Sequence, residues 1–155
     1  MSGTNKDIAK IRRWCAIQER CLVEVRIHAL SLGMSDKDTE KAIETLVDEG
    51  FIDEERYAKM YAGGKFRNKH WGRARIIGEL MARQIPNDVI KIGLSEIDED
   101  DYRAKVVDMV KHKIEVTDKS NVMLFKHRLA KPAIAKGYEP DLVHEIINEL
   151  IKEKK

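Results

Sequence analysis

Large aliphatic residues recur at matching positions in three segments of the chain, and this recurrence predicts tandem helices. Gly33, Gln84 and Gly137 serve as reference points, roughly fifty residues apart. The positions eight and three residues before each point, and ten and thirteen after it, are all large aliphatics. They are Val25, Leu30, Ile43 and Leu46, then Ile76, Met81, Leu94 and Ile97, then Leu129, Ile134, Ile147 and Leu150. Such spacings predict one apolar side on a helix before each reference point and on another after it.

Residue types that commonly begin or end helices occur at positions that agree with this prediction. Glycine readily adopts the left-handed conformation that ends a helix, which suits Gly33 and Gly137. Pro86 and Pro140 suit the first turn of the next helix, and Ser35 with Asp38 resembles a capping box. Further helical stretches are expected near residues 6–17, 54–68 and 99–115, and no segment shows sustained strand alternation.

The predicted fold is therefore all-α, an elongated, curved array of three tandem three-helix repeats. We place the repeats at residues 6–52, 53–97 and 98–151. Two features break the regularity. Gly63 and Gly64 are expected to interrupt the first helix of the second repeat, as a close contact or a hinge. The alternative is a tolerated pair of small residues against a neighbouring helix. Pro132 is expected to kink the middle helix of the third repeat or to delay its start.

Composition excludes several classes of protein. Hydrophobic residues make up 43% of the chain and charged residues 36%, which argues against wholesale disorder. No apolar run is long enough for a membrane span, and residues 1–10 do not resemble a signal peptide, so we expect a cytoplasmic protein without a membrane partner. Cys15 and Cys21 are expected to be reduced thiols at core or boundary positions. The scattered histidines predict no metal site, and the absence of nucleophile, phosphate-loop and nucleotide-binding motifs predicts neither an enzyme nor a cofactor.

The net charge of +2 conceals strong segregation. Residues 35–55 contain nine acids against Lys37 and Lys41, whereas residues 56–91 contain nine basic residues against Glu79 and Asp88. Such runs are often solvated helix faces that pair with one another. A basic block of this density also favours a polyanionic or acidic partner surface.

Residues 66–75 mix cations with aromatics at a helix junction. Arg67, Lys69, Arg73 and Arg75 can grip phosphates or carboxylates, and Trp71 can stack on a base or on an arginine. The alternative for Trp71 is a packed residue beneath the second repeat. Tyr57 and Tyr61, four residues apart on one helix, equally fit the core. Arg73 and Arg75 fit the core less well, because the apolar stripe of their helix lies at Ile76, Leu80 and Met81.

The chain resembles the RecX family of RecA recombinase regulators. The resemblance is most specific from Leu46 to Leu80, where "G-[FY]-[IL]-D-[DE]" precedes "R-[FY]-A-x-x-Y" and then "G-x-x-R-I-x-x-E-L". The matching runs are Phe51 to Ala62 and Trp71 to Leu80, and the likeness covers roughly residues 10–150. Arg73 departs from the pattern, since the family commonly has proline there.

This resemblance implies a cytoplasmic, monomeric modulator that binds the RecA recombinase filament on DNA. It implies binding in the groove of the filament and suppression of ATP hydrolysis and strand exchange in recombination and DNA repair. Single-stranded or duplex DNA is a further possible contact. Matching positions place Arg67, Lys69, Arg73 and Arg75, with Trp71 beside them, on the filament or its DNA, and Arg56 and Tyr57 as structural or interface residues.

Two other functions stay open from the sequence. Helix-turn-helix pairs with nearby basic residues also describe regulators that bind duplex DNA directly. However, the helices after the three reference points begin Ser-Asp-Lys-Asp, Pro-Asn-Asp-Val and Glu-Pro-Asp-Leu. These acidic starts would repel phosphates. A plain helical scaffold is the third reading, and it predicts neither interaction.

Overall fold

The structure is a computed structural model that describes residues 2–153. Within that range the regular elements are nine α-helices and no strand, so the all-α prediction is confirmed. The helices are α1 (Ser2–Ile17), α2 (Leu22–Ser31), α3 (Asp36–Asp48), α4 (Glu54–Lys69), α5 (Arg73–Ala82), α6 (Asn87–Leu94), α7 (Glu99–Ile114), α8 (Val122–Ala135) and α9 (Pro140–Glu153).

The three reference residues end α2, α5 and α8 in the same way. Gly33, Gln84 and Gly137 have φ values of 82°, 59° and 104°, all in the left-handed region. The residue after each one donates its backbone N–H to the carbonyl five positions earlier: Met34 to Ala29, Ile85 to Leu80 and Tyr138 to Ala133. This 6→1 bond is the Schellman ending. The predicted helix ends are therefore confirmed, including the one where glutamine takes the place of glycine.

The starts of the following helices differ in detail. The Ser35 hydroxyl accepts a hydrogen bond from the N–H of Asp38 at 3.1 Å, as an N-cap residue does. Pro140 is the first residue of α9, as predicted, whereas Pro86 lies one position before α6. Both prolines occupy positions where a missing N–H leaves no helical hydrogen bond unmade.

Packing divides the chain into two compact units. The first extends from the N-terminal helices to Met60 and includes Leu80–Gly93. The second comprises Tyr61–Glu79 and the chain from Leu94 onward. Because α4 and α5 each contribute to both units, this division differs from the three repeats that the sequence suggests. The repeat boundaries at 6–52, 53–97 and 98–151 remain a prediction.

The core of the first unit is built from α1, α2, α3 and the turn that follows them. Its buried residues are Ile11, Cys15, Val25, Ala29, Met34, Ala42, Ile43, Leu46 and Ile52. Cys15 and Cys21 are both buried and free, as predicted, and burial raises the pKa of each thiol. Cys21 is the N-cap residue that precedes α2, and its N–H and its thiol both donate to the Glu24 carboxylate.

In the second unit, α7, α8 and α9 pack against one another around aromatic side chains. Tyr102 and Tyr138 are fully buried, with ring centroids 5.0 Å apart. Phe66 of α4 joins them, its ring centroid 5.8 Å from that of Tyr102. These contacts hold the end of α4 on the α7–α9 bundle.

One quarter of the hydrophobic pattern differs from the prediction. The residues eight positions before the reference points, Val25, Ile76 and Leu129, are buried, but those three positions before them, Leu30, Met81 and Ile134, are exposed. Five residues turn an α-helix by about 140°, so the two sets point in nearly opposite directions. The buried partners lie four residues on instead, at Ala29, Leu80 and Ala133.

Neither the glycine pair of α4 nor Pro132 of α8 ends its helix. Helix α4 continues through Gly63 and Gly64 to Lys69, which contradicts the predicted interruption. A side chain at Gly63 would meet the Arg67 guanidinium, with Nη1 at 2.8 Å, so this glycine provides room for that arginine. Helix α8 contains Pro132 and continues to Ala135, and at fourteen residues it is longer than α2 or α5. The predicted late start is therefore wrong.

Candidate partner-binding surface

The turn between α4 and α5 positions Trp71. His70 has a φ of 59°, a left-handed conformation that ends α4, and the N–H of Trp71 then donates to the carbonyl of Lys65 at 3.2 Å. Gly72 donates to the carbonyl of Lys136 at 2.8 Å, which fixes the turn to the end of α8. Trp71 is thereby held half-buried, with part of its ring open to solvent.

Two cations and a tyrosine surround the Trp71 ring. The Arg75 guanidinium carbon lies 4.4 Å from the ring centroid and the Lys65 Nζ 5.0 Å from it. The Tyr61 ring approaches edge-on, with centroids 6.4 Å apart. We call Tyr61, Lys65, Trp71 and Arg75 the Trp71 platform. Cations over an indole are favourable contacts, and they also place positive charge beside a surface on which a base can stack.

Arg67 and Lys69 lie exposed on the last turn of α4. Cations are favourable there because the carboxyl end of a helix carries partial negative charge. Arg67 borders a shallow depression that Phe66, Asp101, Ala104, Lys105 and Asp108 also line. Lys69 points its charge to solvent, while its carbonyl accepts a hydrogen bond from the Lys136 ammonium at 3.3 Å. Both side chains are thus available to an anionic partner.

Arg73 has a different environment from the one expected. Its guanidinium donates to Glu139 at 2.8 Å and to Glu99, and it lies 3.9 Å from the Tyr102 ring centroid. Its backbone N–H donates to the Tyr102 hydroxyl at 2.9 Å, and that hydroxyl donates to Glu139. We call Arg73, Glu99, Tyr102 and Glu139 the Arg73 network. The network joins α5, α7 and α9, so Arg73 stabilises the second unit rather than offering a free charge.

Hydrogen bonds within the Arg73 network favour the ionised form of the Glu139 carboxylate. Burial alone would raise the pKa of Glu139, but the hydrogen bonds from Tyr102 and Arg73 outweigh it, and the pKa lies below the ordinary 4.5. Burial is the main cause that raises the pKa of Tyr102, so this phenol stays protonated and donates. The proton positions therefore match the hydrogen bonds described.

Replacing Glu139 with glutamine should flatten the dependence of stability on pH. A carboxylate whose pKa is lowered by folding contributes stability above its ordinary value of 4.5 and loses it as pH falls through the lower folded value. At pH 7 we expect the variant to be less stable by about 1 kcal/mol, because the carboxylate is partly exposed. Urea unfolding between pH 7 and pH 3 measures both effects. Parallel curves for the two proteins would contradict this role of Glu139.

Arg56 and Tyr57 lie in the first unit. The Arg56 guanidinium donates to Glu19 at 2.5 Å and to the carbonyl of Gly50 at 3.0 Å, tying the start of α4 to two preceding turns. The hydrogen bond to Glu19 raises the pKa of Arg56. Tyr57 is buried, and burial raises the pKa of its phenol. Of the two roles predicted for this pair, the contacts support the structural one.

The acidic stretch at residues 35–55 is partly neutralised within the first unit. Glu40 pairs with Arg26 at 2.8 Å, and Glu49 pairs with Arg12 at 2.8 Å. These contacts agree with the interpretation of charge runs as faces that pair with one another. Lys65, Lys136, Tyr102 and Glu139 were not singled out from the sequence. Lys65 alone had a signal, because it lies within the basic block and four residues after Tyr61.

Two structural features bear on the class of site that residues 2–153 can form. In that part of the chain, no group of three or more His, Cys, Asp or Glu side chains could hold a metal ion. None of the helices from Ser2 to Glu153 is both long and apolar enough to cross a membrane.

Comparison with known proteins agrees with the geometry of the α4–α6 region. The sequence profile described as "RecX, second three-helix domain" matches residues 53–94. Regulatory protein RecX of Clostridium perfringens (strain 13 / Type A) is 26% identical over 129 residues, which are 82% of this chain and 60% of that protein. Regulatory protein RecX of Lactobacillus johnsonii is 21% identical over 140 residues, which are 88% of this chain and 51% of that protein.

The fold is shared as well. The crystal structure of RecX from Lactobacillus salivarius matches with a TM-score of 0.87 at 19% identity, over 96% of this chain and 97% of that one. The chain spans 60% and 51% of the length of the two curated relatives. The profile match and the curated relatives confirm the resemblance to the RecX family that the sequence shows, and the crystal structure shows a shared fold.

Proposed function

We propose that this protein is a cytoplasmic regulator that binds the RecA recombinase filament on DNA and modulates it, mostly by inhibiting ATP hydrolysis and strand exchange. Homologous recombination, DNA repair and the SOS response are the processes in which it acts. It binds and does not catalyse. The proposal rests on the RecX resemblance for the partner and on the chemistry of the second unit for the mode of binding.

The Trp71 platform, together with the exposed Arg67 and Lys69 on the last turn of α4, is the observation that carries the proposal. An indole ring in contact with two cations suits a nucleic-acid strand or an acidic protein surface within a nucleoprotein filament. Arg75 is held on Trp71, so less side-chain entropy is lost when it meets a carboxylate or phosphate. Arg73 supports this surface from within, by fixing the start of α5 to α7 and α9.

Direct regulation of duplex DNA by a helix-turn-helix is less well supported. The helices that follow the three junctions carry acids in the first turn, namely Asp36 and Asp38 in α3, Asp88 in α6 and Asp141 in α9. A recognition helix presents its first residues to the bases and phosphates of the major groove. Acids at those positions would be repelled by the phosphates.

Titrating the protein into RecA assembled on single-stranded DNA tests the proposal. We expect ATP hydrolysis to be suppressed at or below equimolar protein, because each bound molecule acts on an assembled filament. No effect at equimolar protein would remove the proposed function. Tight, sequence-specific binding to duplex DNA at physiological salt, without suppression, would favour the direct DNA regulator. The absence of both interactions would favour the third function, a plain helical scaffold.

A further inference from the structure

A surface groove of the second unit is lined by the end of α7, the loop that follows it, and α8. It has a volume of about 470 Å³, and its lining includes Lys113, Val116, Arg128, Lys131 and Pro132, with Asp118 at one side. We call it the α7–α8 groove. None of these residues belongs to the Trp71 platform or to the Arg73 network, so the groove has no role in the function proposed above.

Exposed apolar side chains follow the end of α7 in sequence, and one of them, Val116, lines the groove. Val116, Val122, Met123 and Leu124 are between 42% and 84% exposed, and they fall within nine residues of sequence. The Asn121 side chain accepts a hydrogen bond from the N–H of Leu124 at 3.1 Å, which fixes the first turn of α8. The exposed apolar residues are thus displayed by a capped helix. Apolar groups clustered on a surface mark a site of interaction more often than isolated ones do.

Helix periodicity connects the apolar cluster with the cations of the groove. Leu124, Arg128 and Lys131 stand at positions i, i+4 and i+7 of α8, so they share one face. Lys113, at the end of α7, adds a third positive charge to the groove. Of the acids in the α7–α8 loop, Asp118 accepts a hydrogen bond from the N–H of Ser120 at 2.9 Å, and that bond lowers the pKa of Asp118. Glu115 is the other acid of the loop.

We propose that the α7–α8 groove binds an acidic peptide segment with aliphatic side chains, presented by a partner protein. Carboxylates would pair with Lys113, Arg128 and Lys131, while aliphatic side chains would cover Val116 and the first turn of α8. A nucleic acid fits less well, because no aromatic side chain lines the groove to stack on a base. The aliphatic cluster would gain little from a sugar-phosphate backbone.

Fluorescence anisotropy with a labelled peptide tests this site on the full chain. The probe has about twelve residues, with leucines at i, i+4 and i+7 among glutamates and aspartates. Control probes are the same peptide with serine for each leucine, the same peptide with lysine for each acid, and a single-stranded oligonucleotide. We expect the acidic leucine peptide to bind, and both altered peptides to bind at least about tenfold more weakly.

Substitutions in the groove and at a control position test where the peptide binds. Arg128→Glu with Lys131→Glu, and separately Val116→Ser with Leu124→Ser, should each weaken the acidic leucine peptide at least about tenfold. Lys59→Glu with Lys91→Glu changes the net charge equally at exposed positions of the first unit and should leave binding unchanged. Circular dichroism verifies that every variant keeps its helicity.

Several results would overturn the proposal. These are no binding of the acidic leucine peptide, equal loss of binding in the Lys59 and Lys91 variant, or unchanged binding in both groove variants. Displacement of the peptide by the oligonucleotide at equal concentration would assign the groove to nucleic acid instead. Self-association in sedimentation velocity that the groove variants abolish would assign it to a second copy of the chain. Because peptide binding is measured without RecA, its failure is distinguishable from failure to suppress ATP hydrolysis.

Discussion

Replacing Gly72 with alanine is expected to lower the free energy of unfolding by about 3 kcal/mol or more. A Cβ at this position would lie 2.3 Å from the carbonyl carbon of Gly137 and 2.3 Å from the nitrogen of Tyr138. Both are backbone atoms, which cannot move aside as a flexible side chain can. Gly72 and Ala74 also donate backbone hydrogen bonds to Lys136 and Gly137, at 2.8 and 3.0 Å, and a displaced turn would lose them.

Gly78→Ala is the matched control for this substitution. Gly78 lies inside α5, and a Cβ there would meet nothing within 4 Å. Alanine is the better helix former, so this variant should be more stable by about 1 kcal/mol. Thermal and urea unfolding of the two variants measure the contrast. If Gly72→Ala unfolds at the same urea concentration as the unmodified protein, the close contact between the two turns does not exist.

The fold was predictable from the sequence where the signals are local. A helix end with a left-handed residue is specified within a few positions, so Gly33 and Gly137 could be recognised from their flanking aliphatics. Gln84 carried no such signal, and only its equivalent position in the pattern identified it. Its φ of 59° shows that the backbone requirement persists where the residue type has changed.

The faces of the helices were less predictable than their ends. Leu30, Met81 and Ile134 recur at equivalent positions and are exposed, although they are large and apolar. Recurrence establishes equivalence between positions, but burial depends on the angle around the helix and on which neighbours pack against it. Gly63 is a similar case, because its function in making room for Arg67 depends on a side chain one turn away.

In the candidate site, too, contacts between residues close in sequence were predictable and contacts between distant residues were not. Trp71 and Arg75 are four residues apart, and their contact is local, between the turn that precedes α5 and the first turn of that helix. The partners of Arg73 are distant in sequence, with Glu139 lying 66 positions away. No local pattern could reveal that this arginine would be satisfied internally. The basic block as a partner-binding region therefore stays a prediction, while one of its arginines, Arg73, has an environment that the sequence did not indicate.

The internal pairing of Arg73 determines which substitutions can test the proposed function. Reversing Arg73 would place a third carboxylate beside Glu99 and Glu139 and would destabilise the second unit. A loss of activity in that variant would not distinguish misfolding from a lost contact. Arg67, Lys69 and Arg75 are exposed, so their charges can be reversed with little effect on the core.

Reversing Arg67, Lys69 and Arg75 to glutamate should raise the concentration needed for half-suppression of RecA ATP hydrolysis at least about tenfold. Each reversal removes a charge that would pair with a phosphate or carboxylate, and it adds a repulsive one. Lys37→Glu with Lys41→Glu and Lys91→Glu is the matched control, since it changes the net charge equally at exposed positions of the first unit. Unchanged suppression by the Arg67, Lys69 and Arg75 variant, at helicity equal to that of the control, would exclude this surface as the contact with the filament.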